Sequence, residues 1–257
     1  MEKVFVFLTG SSLVFGEFAP PYHFETDGLS LSLELSEGHY RYLRDLAGAR
    51  VEKAISAGLT RLLVHPVEPF YTGSDTPRYL ELEFPALVVE PGATETVFLT
   101  FPVEVGVFVE GIRSTEIIDA FSLVRPKFSL YGTPRHGIIT RFARSGRHRE
   151  IPPVDGAREG VLKLALRNSL SEWVSISRVV IPESEIQLYA SGFAGMMAMM
   201  RVTGRDKAEI WGVDRPLVGG MSRAHDFFTA RRILRLDTAP RLPGMERKGF
   251  LMEGGLS

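Results

Sequence analysis

The feature that most constrains this chain is an alternation of apolar and polar residues with a period of two. Between Gly28 and Leu35, Leu29, Leu31, Leu33 and Leu35 alternate with Ser30, Ser32 and Glu34. Leu80, Leu82 and Phe84 alternate with Glu81 and Glu83, Leu162, Leu164 and Leu166 with Lys163, Ala165 and Arg167, and Val174 and Ile176 with Ser175 and Ser177. Successive strand side chains point to opposite faces, so each run buries one face and wets the other. Glu81 and Glu83 are therefore expected on a solvated face. Asp27-Gly28, Glu90-Pro91-Gly92 and Asp155-Gly156 supply turn chemistry between the runs. Short strands with frequent turns predict an all-β fold, an antiparallel β-sandwich with little helix.

Three segments fit that pattern poorly. Arg41–Leu59 spaces Leu43, Leu46, Val51 and Ile55 as a helix would, although Gly48 and Gly58 weaken it. Met196–Met200 suits a strand or a short helix, and periodicity does not decide. Met221–Arg235 suits a helix through Ala224, Phe227, Phe228 and Ile233, with strands as the alternative.

Charge divides the chain more sharply than hydropathy does. Residues 1–124 hold eight Lys and Arg against eighteen Asp and Glu, whereas residues 125–257 hold 22 against 13. The switch falls at Val124–Pro126. A second candidate boundary is Glu150–Asp155, stiffened by Pro152-Pro153. The expected organisation is an acidic sandwich-like module over 1–125, a basic one over 126–240 and a loose tail over 241–257, with a single domain as the alternative. Such a division lets the halves attract one another within a chain or between copies, or lets the basic half meet nucleic acid or another polyanion.

Several chemistries are excluded or unsupported. The chain has no cysteine, which removes disulfides, thiolate nucleophiles and Cys-ligated zinc. His23, His39, His65, His136, His148 and His225 are scattered without metal-ligand spacing, so no metal site is expected. Neither a Gly-x-Ser-x-Gly elbow nor a phosphate-binding glycine loop occurs, so no catalytic residue and no cofactor is assigned. Glu81/Glu83 and Glu104/Asp119 are the carboxylate pairs to weigh for glycoside hydrolysis, which needs two carboxyls facing across a cleft. No apolar run approaches the roughly 20 residues of a transmembrane helix. The apolar stretch Val4–Leu8 is short for a secretory signal, so it reads as a first strand and the protein as cytoplasmic. Asn168 and Gln187 are the only residues of their types and Glu exceeds Asp by 22 to 9, which suggests a thermophilic source. An excess of Arg over Lys of 24 to 6 is also a product of GC-rich coding.

One cluster stands out chemically: Arg135, His136, Arg141, Arg144, Arg147, His148 and Arg149. Arg141 lies among Ile138, Ile139 and Phe142. Guanidinium forks bind carboxylate and phosphate bidentately, so these residues are candidates for holding an anion or an acidic partner. The competing reading is a solvated hairpin tip whose arginines pair with Glu150, Glu159 or the acidic half.

The stretch from Pro66-Val67-Glu68-Pro69 to Tyr131-Gly132 also carries a resemblance. It contains Val97-Phe98-Leu99-Thr100-Phe101-Pro102-Val103-Glu104-Val105-Gly106-Val107-Phe108, then Ile118-Asp119-Ala120-Phe121-Ser122-Leu123 and Lys127-Phe128-Ser129-Leu130-Tyr131-Gly132, followed by Gly137-Ile138-Ile139-Thr140-Arg141. It resembles an archaeal family of uncharacterised proteins, domain of unknown function 432, most clearly over Leu63–Phe142. The resemblance implies no catalytic residues, because the family has no assigned activity. It places Arg141 at the family's strand-embedded arginine. The function expected is a non-enzymatic binding or protein-interaction module. The alternatives are an anion or nucleic-acid binder using the basic second half, and a hydrolase whose site converges only in the fold.

Overall fold

The computed structural model describes residues 15–26, 28–56, 58–70, 78–111, 115–205, 207–225 and 250–253. Within them strand is the dominant structure, and the single helical element is a 3-10 turn at Glu183–Glu185. No helix among the described residues is long and apolar enough to cross a membrane. The first strand expected at Val4–Leu8 lies outside the described residues. The helix expected over Met221–Arg235 does so beyond His225. Up to that point the segment includes a two-residue strand, Ser222–Arg223.

The chain forms two compact units, each built from two discontinuous segments. The first combines Met1–His65 with Val105–Phe121, and the second combines Pro66–Glu104 with Ser122–Ser257. In chain order, β1 (Gly16–Phe18), β2 (Tyr22–Thr26), β3 (Leu29–Ser36), β4 (His39–Leu46), β5 (Ala49–Ile55) and β6 (Leu59–Val67) precede β7 (Tyr79–Val89) and β8 (Thr94–Pro102). Next come β9 (Glu104–Gly111) and β10 (Thr115–Phe121), then β11 (Phe128–Tyr131), β12 (Ile138–Arg144), β13 (Glu159–Asn168) and β14 (Val174–Pro182). The remainder are β15 (Tyr189–Ala190), β16 (Ala194–Gly204), β17 (Lys207–Val213), β18 (Ser222–Arg223) and β19 (Phe250–Glu253).

The first unit has two sheets, ordered β2-β3-β4-β5 and β1-β6-β9-β10. The β2–β5 sheet is a hairpin meander. Its turns at Glu37-Gly38 (φ 48° and 85°) and Ala47-Gly48 (φ 48° and 87°) are left-handed at both central residues, as a two-residue hairpin of right-twisted strands requires. Gly48 is thus a turn residue, and Arg41–Leu59 forms strands where a weak helix was expected. Leu29, Leu31 and Leu33 are buried as their alternation predicts, while Leu35, beside the turn, is exposed. Asp119 on β10 joins the two sheets. It accepts hydrogen bonds from Arg44 Nε at 2.5 Å and from the Tyr42 hydroxyl at 2.8 Å, all three residues being buried. The Arg44 guanidinium also lies 4.9 Å from the centroid of the Phe121 ring.

The second unit holds a sheet ordered β11-β12-β7-β14 and a larger one ordered β18-β15-β16-β13-β8, with β17 on β16 and β19 on β17. Most ladders are antiparallel, but β12 runs parallel to β7 and β13 parallel to β16. Met196–Met200 resolves as strand: Met196, Ala198 and Met200 are buried, with Met197 and Met199 only half-buried between them. The stretch after Pro240, which reads as a loose tail, lies outside the described residues except for β19.

Central strands covered on both faces break the simple alternation rule. Glu81, expected in water, is fully buried on β7. It accepts a hydrogen bond from Thr140 Oγ1 at 2.6 Å and sits 3.3 Å from Arg178 Nη1. Glu83 is half-buried, 3.4 Å from Arg144 and 3.8 Å from Arg178. A cation on β14 and one on β12 make burial of this acidic face tolerable. The chain's single asparagine is fully buried at the end of β13. Asn168 Nδ2 lies 2.8–3.1 Å from the carbonyls of Val89, Glu90 and Glu172, and its Oδ1 accepts the Leu170 N–H at 3.0 Å. One amide thereby ties β13 to the β7–β8 turn and to the turn leading to β14.

Two predictions follow from these buried polar groups. In Asn168→Asp, carboxylate oxygen replaces a donor facing three carbonyls, so chemical denaturation should show a loss of about 3 kcal/mol. Tyr22 is buried and its hydroxyl has no hydrogen-bond partner among the described residues, so burial pushes its pKa up to about 12. The unfolded chain releases that proton near pH ~10, earlier than the folded one. The stabilisation is therefore complete below about pH 10 and lost as pH rises through 12. Urea titrations across that window should show Tyr22→Phe losing less stability than the parent, with no cost at neutral pH. An unchanged alkaline profile would count against this assignment.

Candidate functional site

Strand β12 places the residue that departs furthest from ordinary side-chain chemistry. Register sets Arg141 opposite Phe128 on β11 and opposite Leu80 on β7. Its side chain is 1% exposed, making it the largest fully buried residue described. None of Nε, Nη1 and Nη2 has a hydrogen-bond partner among the described residues. Burial pulls the Arg141 pKa below its usual value, and the negative charge of Glu104, itself buried, opposes that shift. The Phe128 ring lies over the guanidinium at 5.9 Å. Five donors in a rigid fork are thus held out of water with the field of one carboxylate and one aromatic face.

Arg141 lines a cavity of about 280 Å³. Thr100, Phe101 and Pro102 at the end of β8 form one side, and Arg158 and Glu159 at the start of β13 form another. Val124, Arg125 and Lys127 come from the segment before β11, and Phe142, Ala143 and Arg144 complete the wall from β12. Arg125, Lys127, Arg144 and Arg158 thus stand around the cavity with one carboxylate, Glu159, while the nitrogens of Arg141 in its wall are themselves closed to solvent. Arg158 is fixed by Asp155 at 3.0 Å and by the Leu123 carbonyl at 2.9 Å, and Arg144 leans on Glu83 at 3.4 Å. Arg125 and Lys127 have no ion-pair partner among the described residues. A concave site lined by one sign of charge concentrates counter-ions, and its size suits a small ligand head more than a large molecule.

The structure divides the cluster singled out in the sequence. Arg141 and Arg144 reach the cavity. Arg135 and His136 are exposed in the β11–β12 turn, closed by the Thr133 carbonyl, at the other end of β12. Arg147 donates to the Ala86 carbonyl at 2.7 Å, His148 bridges to Phe98 through its backbone, and Arg149 is exposed beside it. Sequence reasoning missed Arg125, Lys127, Arg158 and Glu159. The Val124–Pro126 stretch was legible as a charge boundary, but nothing local marked it as the wall of a site.

Glu81 and Glu83 stand side by side on β7 and do not face each other across an open cleft. Glu81 and Glu83 are neutralised by Arg178 and Arg144, and Asp119 is engaged by Arg44 and Tyr42 in the first unit. No group of three or more His, Asp or Glu among the described residues is arranged to hold a metal ion.

No curated protein and no solved structure matches this chain. A family model described as a protein of unknown function, DUF432, matches residues 14–253. With nearly its whole length covered, the chain belongs to the DUF432 family.

Proposed function

We propose that the second unit is a binding module for a compact anion, a phosphate or carboxylate group received by Arg141 in the cavity between β8, β12 and β13. The observation that carries this reading is the buried guanidinium without a hydrogen-bond partner. A cation kept out of water costs several kcal/mol unless something answers it. Arg44 and Arg178 show how this chain answers buried or half-buried cations, each with a carboxylate within 3.3 Å. Arg141 has instead a cavity lined by four further cations, an arrangement that an anionic ligand completes. The module binds rather than transforms its ligand, and we place it in the cytoplasm of a thermophilic archaeon. Support for that source is the family resemblance and the near absence of Asn, Gln and Cys. A melting temperature within the ordinary mesophile range of about 45–65 °C would argue against it.

The direct test titrates inorganic phosphate, sulfate and acetate into the protein by calorimetry and follows thermal unfolding. Ligand at a hundred times its Kd should raise the melting temperature by roughly 5–10 °C. Arg141→Met should abolish the effect and stabilise the ligand-free protein by about 1–3 kcal/mol, because it removes a buried charge without a partner. Arg135→Ala and Arg149→Ala should leave binding unchanged. An Arg141→Met protein that is less stable and binds anions normally would assign the arginine a structural role. Oligonucleotide binding abolished by Arg135→Ala and Arg149→Ala alone would move the site to the hairpin surface.

A further inference from the structure

We infer that the anion received at Arg141 carries a flat apolar body, which lies on Phe128, Leu130 and Ile139. This inference rests on the anion-site reading above and adds the class of ligand. Register pairs Phe128 with Arg141 and Leu130 with Ile139. Directly opposed residues of an antiparallel pair project to the same face, as do residues two apart on one strand. Phe128, Leu130, Ile139 and Arg141 therefore share one face of the β11–β12 ladder.

Along that face burial changes abruptly. Arg141 is 1% exposed, but Phe128 is 48%, Leu130 44% and Ile139 55% exposed. Single exposed apolar side chains are ordinary on a protein surface, whereas contiguous ones mark a contact. The other large exposed apolar residues, Leu35, Val88, Ile151, Trp173 and Val218, are dispersed along the chain. Val88 and Trp173 form a second, smaller apolar pair at the end of the β7–β14 ladder, but among the described residues this trio is the one beside the cavity-lining cations. Lys127, which lines the cavity, immediately precedes Phe128. β11 is an edge strand, paired among the described residues with β12 alone. The apolar strip thus lies next to the cation-lined cavity rather than in its wall, and the two meet at Lys127, Phe128 and Arg141.

That order selects among anions. Inorganic phosphate would use the cavity and ignore the strip. A polyanion would require cations along the strip, yet Phe128-Ser129-Leu130-Tyr131 carries none, and the next are Arg135 and His136 in the turn. An organic phosphate or carboxylate with an aromatic or similarly flat body matches both ends.

The test compares inorganic phosphate with phenyl phosphate, and acetate with benzoate, by calorimetry on the full chain. The aromatic member of a pair should bind about tenfold more tightly, given the apolar area it removes from water. Ile139→Ser should bring that ratio toward one without changing the affinity for inorganic phosphate, and Phe128→Ser should bring it toward one while also altering that affinity. Ile139→Ser is the cleaner variant, because Phe128 also touches Arg141. Equal affinity within each pair in the parent protein would overturn the inference and leave the anion site standing. Failure of all four anions to bind would overturn the anion site itself, and this inference with it. Light scattering that shows a dimer dissociated by Ile139→Ser would make the strip a contact between copies and would also overturn the inference.

Discussion

A charge taken out of water inside a β-sandwich must be answered by another charge or by hydrogen bonds, since the desolvation of each ion costs several kcal/mol. Asp119 is answered twice, by Arg44 and by Tyr42, and that contact links the two sheets of the first unit. Glu81 is answered by Thr140 and Arg178, which lets an acidic residue stand on the central strand β7. Asn168 applies the same rule to an uncharged group, with acceptors around its amide nitrogen and a donor at its oxygen. Arg141 is the exception among these buried groups, having Glu104 as a field and no hydrogen bond. A folded protein retains such an exception at the expense of stability, and functional sites are where local rules are most often broken.

The fold was legible wherever one face of a strand meets water. The β3 run is the clearest case, with Leu29, Leu31 and Leu33 buried and Glu34 exposed. Legibility failed where a strand is covered on both faces, because period two then carries no information about which side is wet. Glu81 is the consequence: its alternation with Leu80 and Leu82 is real, but both sets are buried. Met196–Met200 was ambiguous for the same reason, being a central strand flanked by β13 and β17. The parallel pairings of β12 with β7 and of β13 with β16 connect segments far apart in the chain, and no local pattern announces them.

The site was half legible. Arg141 attracted notice because a cation embedded in apolar residues is a local anomaly, visible in any window around it. Its neighbours in the cluster were proximal in sequence, and strand geometry then scattered them: β12 carries Arg144 toward the cavity and leaves Arg135 at the opposite end. The missing wall came from three segments, around Arg125, Arg158 and Thr100, whose convergence is a property of the sheets rather than of any motif. Sequence spacing predicts a site well when one loop or one helix supplies it. It predicts poorly when strand ends from two sheets do.

The charge division of the chain takes on a different meaning once the units are drawn. The segment 66–104 carries one Lys or Arg against seven Asp and Glu, and it belongs to the second unit. By unit, the first holds seven Lys and Arg against eleven Asp and Glu, and the second holds 23 against 20. The large opposition between the two halves of the sequence is thus mostly satisfied inside one unit, where Glu81 and Glu83 of the acidic half meet Arg144 and Arg178 of the basic half. The net charge that remains is −4 on the first unit and +3 on the second. Part of the positive charge that remains among the described residues lies at the cavity, where Arg125 and Lys127 have no ion pair and Arg141 lies buried. Much of the charge pattern seen along the sequence is therefore pairing between strands of one sheet, which a count by halves of the chain does not reveal.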